Sequence, residues 1–141
     1  MKVHVDVDQK KLRAFVETDG AELVRDTTQR VANYAKALAP VDTGRLRGSI
    51  RTRVETRGLR VTGTVAATAR HAVWVHEGTG LYGPRHRYIT PKHGRYLVFP
   101  GRSGRTVFAR RVAGMRPRRF LVAALRRGAD GWRLRINTPG A

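Results

Sequence analysis

The chain contains no cysteine, which excludes disulfide staples, thiolate metal sites and cysteine nucleophiles together. Acidic residues are scarce: 10 Asp and Glu stand against 29 Lys and Arg, leaving a formal charge of +19. No apolar run approaches the length that spans a bilayer. The opening residues, MKVHVDVDQKK, alternate charged and apolar types and lack the apolar stretch of a signal peptide. These absences lead to the expectation of a protein that is made and used in a cytoplasm and has no membrane contact.

What is present fits one modest core. A length of 141 residues lies within the size range of a single domain. With 40% hydrophobic and 28% charged residues, together with segments of clear period, the chain reads as globular. The expected organisation is therefore a single domain over residues 1–141. Nearly all the positive charge is arginine, a surface that attracts polyanions, either DNA or acidic partner subunits. GC-rich coding also raises arginine content, so the charge by itself names no partner.

Period-two alternation at Val3, Val5 and Val7 predicts a short strand, and a weakly helical piece around Leu12 and Phe15 follows. Thr18 or Asp19 is placed to cap a main helix in which Leu23, Val24, Thr27, Val31, Tyr34, Ala35 and Leu38 recur at helical spacing until Pro40. The pattern then switches. Ile50, Thr52, Val54 and Thr56 alternate with Arg51, Arg53, Glu55 and Arg57, a strand with one wet face. A turn at Arg57 and Gly58 leads into a second strand from Leu59 to Ala69, forming a hairpin.

Ala72 to Glu77, which contains Trp74, fits either a helical turn or the end of a strand. Residues 78–95, GTGLYGPRHRYITPKHGR, hold no period and read as a long projecting loop, a length usually associated with function or disorder. Tyr96–Phe99 and Thr106–Ala109 form a second hairpin across PGRSGR. Pro117 suits the first turn of a helix carrying Phe120, Leu121, Ala124 and Leu125 that ends near Gly128. Trp132, Leu134 and Ile136 alternate like a strand, and residues 137–141 form a frayed C-terminus. The expected fold is α+β: an antiparallel sheet of about four or five strands packed with one long and one shorter helix, plus the projecting loop.

The run Ala39-Pro40-Val41-Asp42-Thr43-Gly44-Arg45-Leu46-Arg47-Gly48-Ser49-Ile50 closely resembles a signature of the phage head-tail joining or tail-completion family, named after a tenth gene product of a lambdoid phage. Val73-Trp74-Val75-His76-Glu77-Gly78-Thr79-Gly80 and Arg118-Arg119-Phe120-Leu121-Val122-Ala123-Ala124 resemble two further segments of that family, in the same order. The chain departs from the family at Val112-Ala113-Gly114, where a His-Pro-Gly is frequent, and in its strongly basic C-terminal portion. The resemblance implies a virion protein of the neck: a homo-oligomeric ring of six subunits, assembled in the bacterial host cytoplasm. That ring would complete the tail, whether as tail terminator or as an adjacent completion ring, and join it to the head connector. DNA would meet the ring transiently and without sequence preference.

Read from its own chemistry, the first motif is a structural corner. Pro40 stops the helix, Asp42 and Thr43 are able to bond back to nearby backbone N–H groups, Gly44 takes a positive φ, and Leu46 and Ile50 return to the core. No catalytic, cofactor or metal site is expected. His76, Glu77, His86 and His93 lack the i, i+4 spacing of a helical metal pair, and two of these His lie in a Gly- and Pro-rich loop. Ser49 and Ser103 have no His–acid pair, and GTGLYG does not sit in a βαβ unit.

Two sets of residues are suited to partners. The loop carries Tyr82, Arg85, His86, Arg87, Tyr88 and His93, types common at protein interfaces. Arg102, Arg105, Arg110, Arg111, Arg116, Arg118 and Arg119 crowd a short span whose guanidinium forks suit DNA phosphates and acidic protein alike. The alternative to a neck ring is a basic nucleic-acid-binding module, which +19 would fit. Against it stand the missing signature sequences and an aromatic content of only 7%.

Overall fold

A computed structural model describes residues 9–101 and 103–129. The strands expected at Val3–Val7 and Trp132–Ile136 and the expected frayed end lie outside the described residues. The described residues pack as two compact units: residues 9–69 with 120–129, and Arg70–Arg119 between them in sequence.

The first unit begins with one uninterrupted helical path. Helix α1 (Gln9–Phe15) passes through a π-helical turn (Val16–Gly20) into α2 (Ala21–Leu38). Phe15 and Gly20 both keep right-handed helical backbone angles, so the cap expected at Thr18 or Asp19 does not form. The Thr18 hydroxyl instead donates to the Ala14 carbonyl at 2.9 Å, a back-bond that keeps a threonine inside a helix. The buried stripe of α2 runs through Ala21, Thr27, Thr28, Val31, Ala32 and Ala35. Leu23 and Tyr34, expected with that stripe, are exposed; small residues occupy the inner face because two other elements approach closely there.

One of those elements is the hairpin of β1 (Ile50–Arg57) and β2 (Arg60–Ala67), in register from Ile50 opposite Ala67 to Arg57 opposite Arg60. The turn is Gly58–Leu59, with Gly58 at φ 58°, the first central position where primed turns place glycine. Ile50 is buried and Val54, Val61 and Val65 are half-buried, while Arg51, Arg53 and Arg57 face water, so the wet-face expectation holds. Glu55 pairs there with Arg53 at 2.6 Å and Arg57 at 3.5 Å, exposed contacts of little energetic weight. Where β2 crosses α2, a Cβ at Gly63 would overlap the Thr28 hydroxyl.

The other element is α5 (Phe120–Gly128), which begins three residues after Pro117, not with that proline in its first turn. A Cβ at Gly128 would lie 2.7–2.9 Å from Val31 side-chain and backbone atoms, and Ala124 and Ala35 are fully buried. Such a crossing requires small side chains on both helices.

The corner after α2 uses different groups from those expected. Gly44 does adopt φ 78°. Among the described residues, however, the exposed Asp42 and Thr43 side chains have no hydrogen-bond partner. A single helical turn, α3 (Arg45–Gly48), follows, closed by Gly48 N–H donating to Gly44 O, and it buries Leu46. Arg47 Nε donates to Lys36 O at 3.0 Å, satisfying a carbonyl at the end of α2.

The second unit holds α4 (Ala72–Glu77), a 3₁₀ turn (Gly80–Tyr82), and a hairpin of β3 (Leu97–Pro100) and β4 (Thr106–Ala109). The described strands thus form two separate two-stranded sheets, in place of the one sheet of four or five strands expected. No described helix is long and apolar enough to cross a membrane.

Candidate partner interface

The segment expected to project freely is tied at three points. Thr79 and Leu81 N–H groups donate to Met115 and Ala113 carbonyls at 2.9 and 2.8 Å, and Ile89 and Val112 exchange both backbone bonds. Gly80 and Gly114 make this approach feasible: a Cβ on either would overlap the opposite backbone, and both have positive φ. Beyond these ties lies the β3–β4 pair, so residues 79–100 and 106–115 form an intermittently paired ribbon. Only residues 84–88 and 90–96, on either side of the Ile89 tie, keep the loop character, and nearly all of them are exposed.

Each tyrosine on the outgoing limb stands beneath an arginine of the return limb. Arg116 lies over the Tyr82 ring at 5.2 Å, Arg111 over Tyr88 at 4.5 Å, and Arg110 over Tyr96 at 6.0 Å. At exposed sites such cation–π contacts contribute roughly 0.5–1 kcal/mol each. More important here, they hold planar cations and aromatic rings ready-ordered at the surface. The structure therefore joins the two sets of residues that the sequence kept apart. Tyr96 belongs with them and was missed as a site residue; its signal was the recurrence of Tyr at 82, 88 and 96 opposite a return limb rich in Arg.

The other expected contact residues separate by role. His86, at φ 47°, is a turn former whose Nδ1 lies 3.2 Å from the Leu81 carbonyl. Arg85, Arg87 and His93 are exposed without partners among the described residues. Arg105 sits exposed in the β3–β4 turn, and Arg102 lies outside the described residues. Arg118 donates its backbone N–H to Val75 O, tying the return limb to α4. Arg119 contributes charge near buried His76, whose pKa is lowered chiefly by burial. Nearby Glu77, 3.8 Å away, pulls in the opposite direction and Arg119 reinforces the lowering.

The ribbon is also apolar. Val98 and Phe108 are directly paired, share a face with Tyr96 and Arg110, and are 60% and 66% exposed. Phe99 and Val107 are exposed on the other face, so neither side of this hairpin is fully covered. Among the described residues no three His, Asp or Glu side chains gather as metal ligands.

A family model described as "Bacteriophage HK97-gp10, putative tail-component" matches residues 8–78, half of the chain. The matched stretch contains the corner at Pro40–Leu46 and α4, and stops where the Arg–Tyr ribbon begins. No curated protein and no solved structure matches the chain. The corner motif, the long helix with its hairpin and the family match agree: the chain belongs to the HK97-gp10-like family of bacteriophage tail components.

Proposed function

We propose that this protein is a non-catalytic virion component of the head–tail neck, forming a closed ring of six copies that completes the tail and docks on the head connector. The observation that carries the reading is the exposed Arg–Tyr ribbon with its two uncovered apolar faces. Apolar area of this kind, rimmed by arginine, is characteristic of surfaces buried on assembly. Family membership supplies the tail setting, and subunits using two different surfaces close into rings when the rotation permits.

The test is imaging of the neck in intact particles, with light scattering on the purified chain. A ring of density accounted for by this chain is expected; a neck in which the chain is absent would sink the reading. The net charge of +19 supports the second reading, a nucleic-acid-binding module. Salt titration separates the two: a ring protein binds duplex DNA weakly and without sequence preference, whereas selective binding to one sequence at physiological salt favours the module.

A further inference from the structure

The charge of this chain is unevenly distributed. No Asp or Glu occurs between Glu77 and Asp130, a span with 13 Arg and Lys. Six of the 10 acidic residues precede residue 27. Four of those six, Glu17, Asp19, Glu22 and Asp26, are described and all are exposed along the π-helical turn and the start of α2. Phe15 and Leu23, 55% and 54% exposed, lie among them. On α2 itself, Glu22, Leu23 and Asp26 fall on the outward side, opposite the buried Thr28–Val31–Ala35 stripe. From Glu17 to Asp26 four exposed carboxylates stand against one exposed cation, Arg25, with Arg13 and Arg30 flanking the stretch. The chain therefore carries one basic, aromatic surface and, on the other unit, a locally acidic surface with apolar studs.

We propose that the ribbon of one copy docks on the acidic helix face of a second copy, head to tail, with Val98 and Phe108 meeting Phe15 and Leu23 while Arg110 and Arg111 meet Glu22 and Asp26. This rests on the ring reading above and specifies its contact. Charge complementarity selects the partner: each surface repels its own kind, so two ribbons do not pair, and the contact propagates from copy to copy. Apolar complementarity favours protein over DNA, since a phosphate backbone would leave Val98 and Phe108 uncovered. Arginines already stacked on tyrosines lose less freedom on docking than free side chains, which favours association.

The experiment uses charge reversal in the full chain, read by native mass spectrometry and light scattering, and by cross-linking within particles where assembly requires other neck proteins. Arg110→Glu with Arg111→Glu, or separately Glu22→Arg with Asp26→Arg, is expected to weaken self-association by roughly tenfold or more. Combining all four substitutions in one chain should restore it. Mixing the two reversed proteins gives a sharper signature, because each ribbon is now complementary only to the other protein's helix face: multimers that alternate the two proteins form in the mixture, while neither protein forms them alone. Multimers indifferent to either reversal overturn the surface assignment and leave the ring reading standing. Multimers that persist while the ribbon variant loses binding to random-sequence duplex DNA assign the ribbon to DNA and also overturn it. A wild-type chain that is monomeric in solution and uncross-linked in particles removes the ring reading, and this inference with it.

Discussion

The two units of this chain achieve order in different ways. In the first, α2, the β1–β2 hairpin and α5 exclude water from a stripe of alanine, threonine and valine, and close approach at Gly63 and Gly128 sets the spacing. In the second, most side chains from 84 to 119 are exposed, and shape comes from backbone hydrogen bonds, the Gly80–Gly114 approach and three Arg–Tyr stacks. A packed core supplies stability that a hairpin of two strands does not supply alone. The family match falls mainly on the first unit and stops at the ribbon. The difference is physical: the first unit is held by a packed core, and the second by backbone ties and exposed stacks.

The most damaging test of that contrast is Gly128→Leu. Its side chain must enter space held by Val31 backbone atoms, so α2 and α5 must separate, at a cost on the order of 3 kcal/mol. Thermal melting should show the loss. Hydrogen exchange should assign it to α2 and α5 while the Ile89–Val112 amides keep their protection; equal loss in both would show that the units are not energetically distinct.

Next comes Gly44→Val. Nothing lies within 4 Å of a Cβ there, so the penalty is backbone strain at φ 78° and not collision, about 1–3 kcal/mol. Gly44→Asn, which tolerates the left-handed region, should recover most of it. Equal melting temperatures for all three proteins would show that strain at Gly44 does not matter.

A smaller effect reports on the second unit through pH. His76 is buried and its pKa is lowered from 6.5, so the folded protein binds this proton less readily than the unfolded chain. Its contribution is complete above the ordinary imidazole value and is lost as pH falls through 6.5 toward the lower folded value. Melting temperature should decline over that window on acidification, and His76→Gln should flatten the decline. An unchanged slope in the variant would place the titrating group elsewhere.

Smallest in stability is Tyr88→Ser, which removes one exposed stack and should cost no more than about 1 kcal/mol. Replacing residues 90–95 with a short Gly-Ser link should likewise spare the fold, whereas replacing all of 78–95 removes the ties at Thr79, Leu81 and Ile89 and should unfold the second unit. Circular dichroism of the two replacements, set beside particle assembly, separates a tolerated loop from a structural limb.

Local pattern was the readable part. The main helix, both hairpins, the positive φ at Gly44 and the helix ending at Gly128 follow from period, turn residues and small-residue placement, all of which act over a few residues. The phase of α2 was misread at Leu23 and Tyr34 because apolar spacing alone does not say which face meets a neighbour. The N-cap was misread because Thr18 satisfies its hydroxyl within the helix. The candidate site was readable as two lists of residues, the loop and the arginines, but not as pairs.

What the sequence determined by itself is therefore the inventory: no thiol chemistry, a strong excess of arginine, acidic residues gathered at the front, the corner motif, and the order of helices and hairpins. These are one-dimensional properties, fixed by composition and near-neighbour spacing. Only tertiary structure decided that the described strands form two sheets, that Gly128 sits against Val31, and that Tyr82, Tyr88 and Tyr96 lie under Arg116, Arg111 and Arg110. Residues 14 to 34 positions apart meet there because backbone hydrogen bonds at Thr79, Leu81 and Ile89 set the ribbon's register, and side-chain period carries no information about which distant limb those amides will choose.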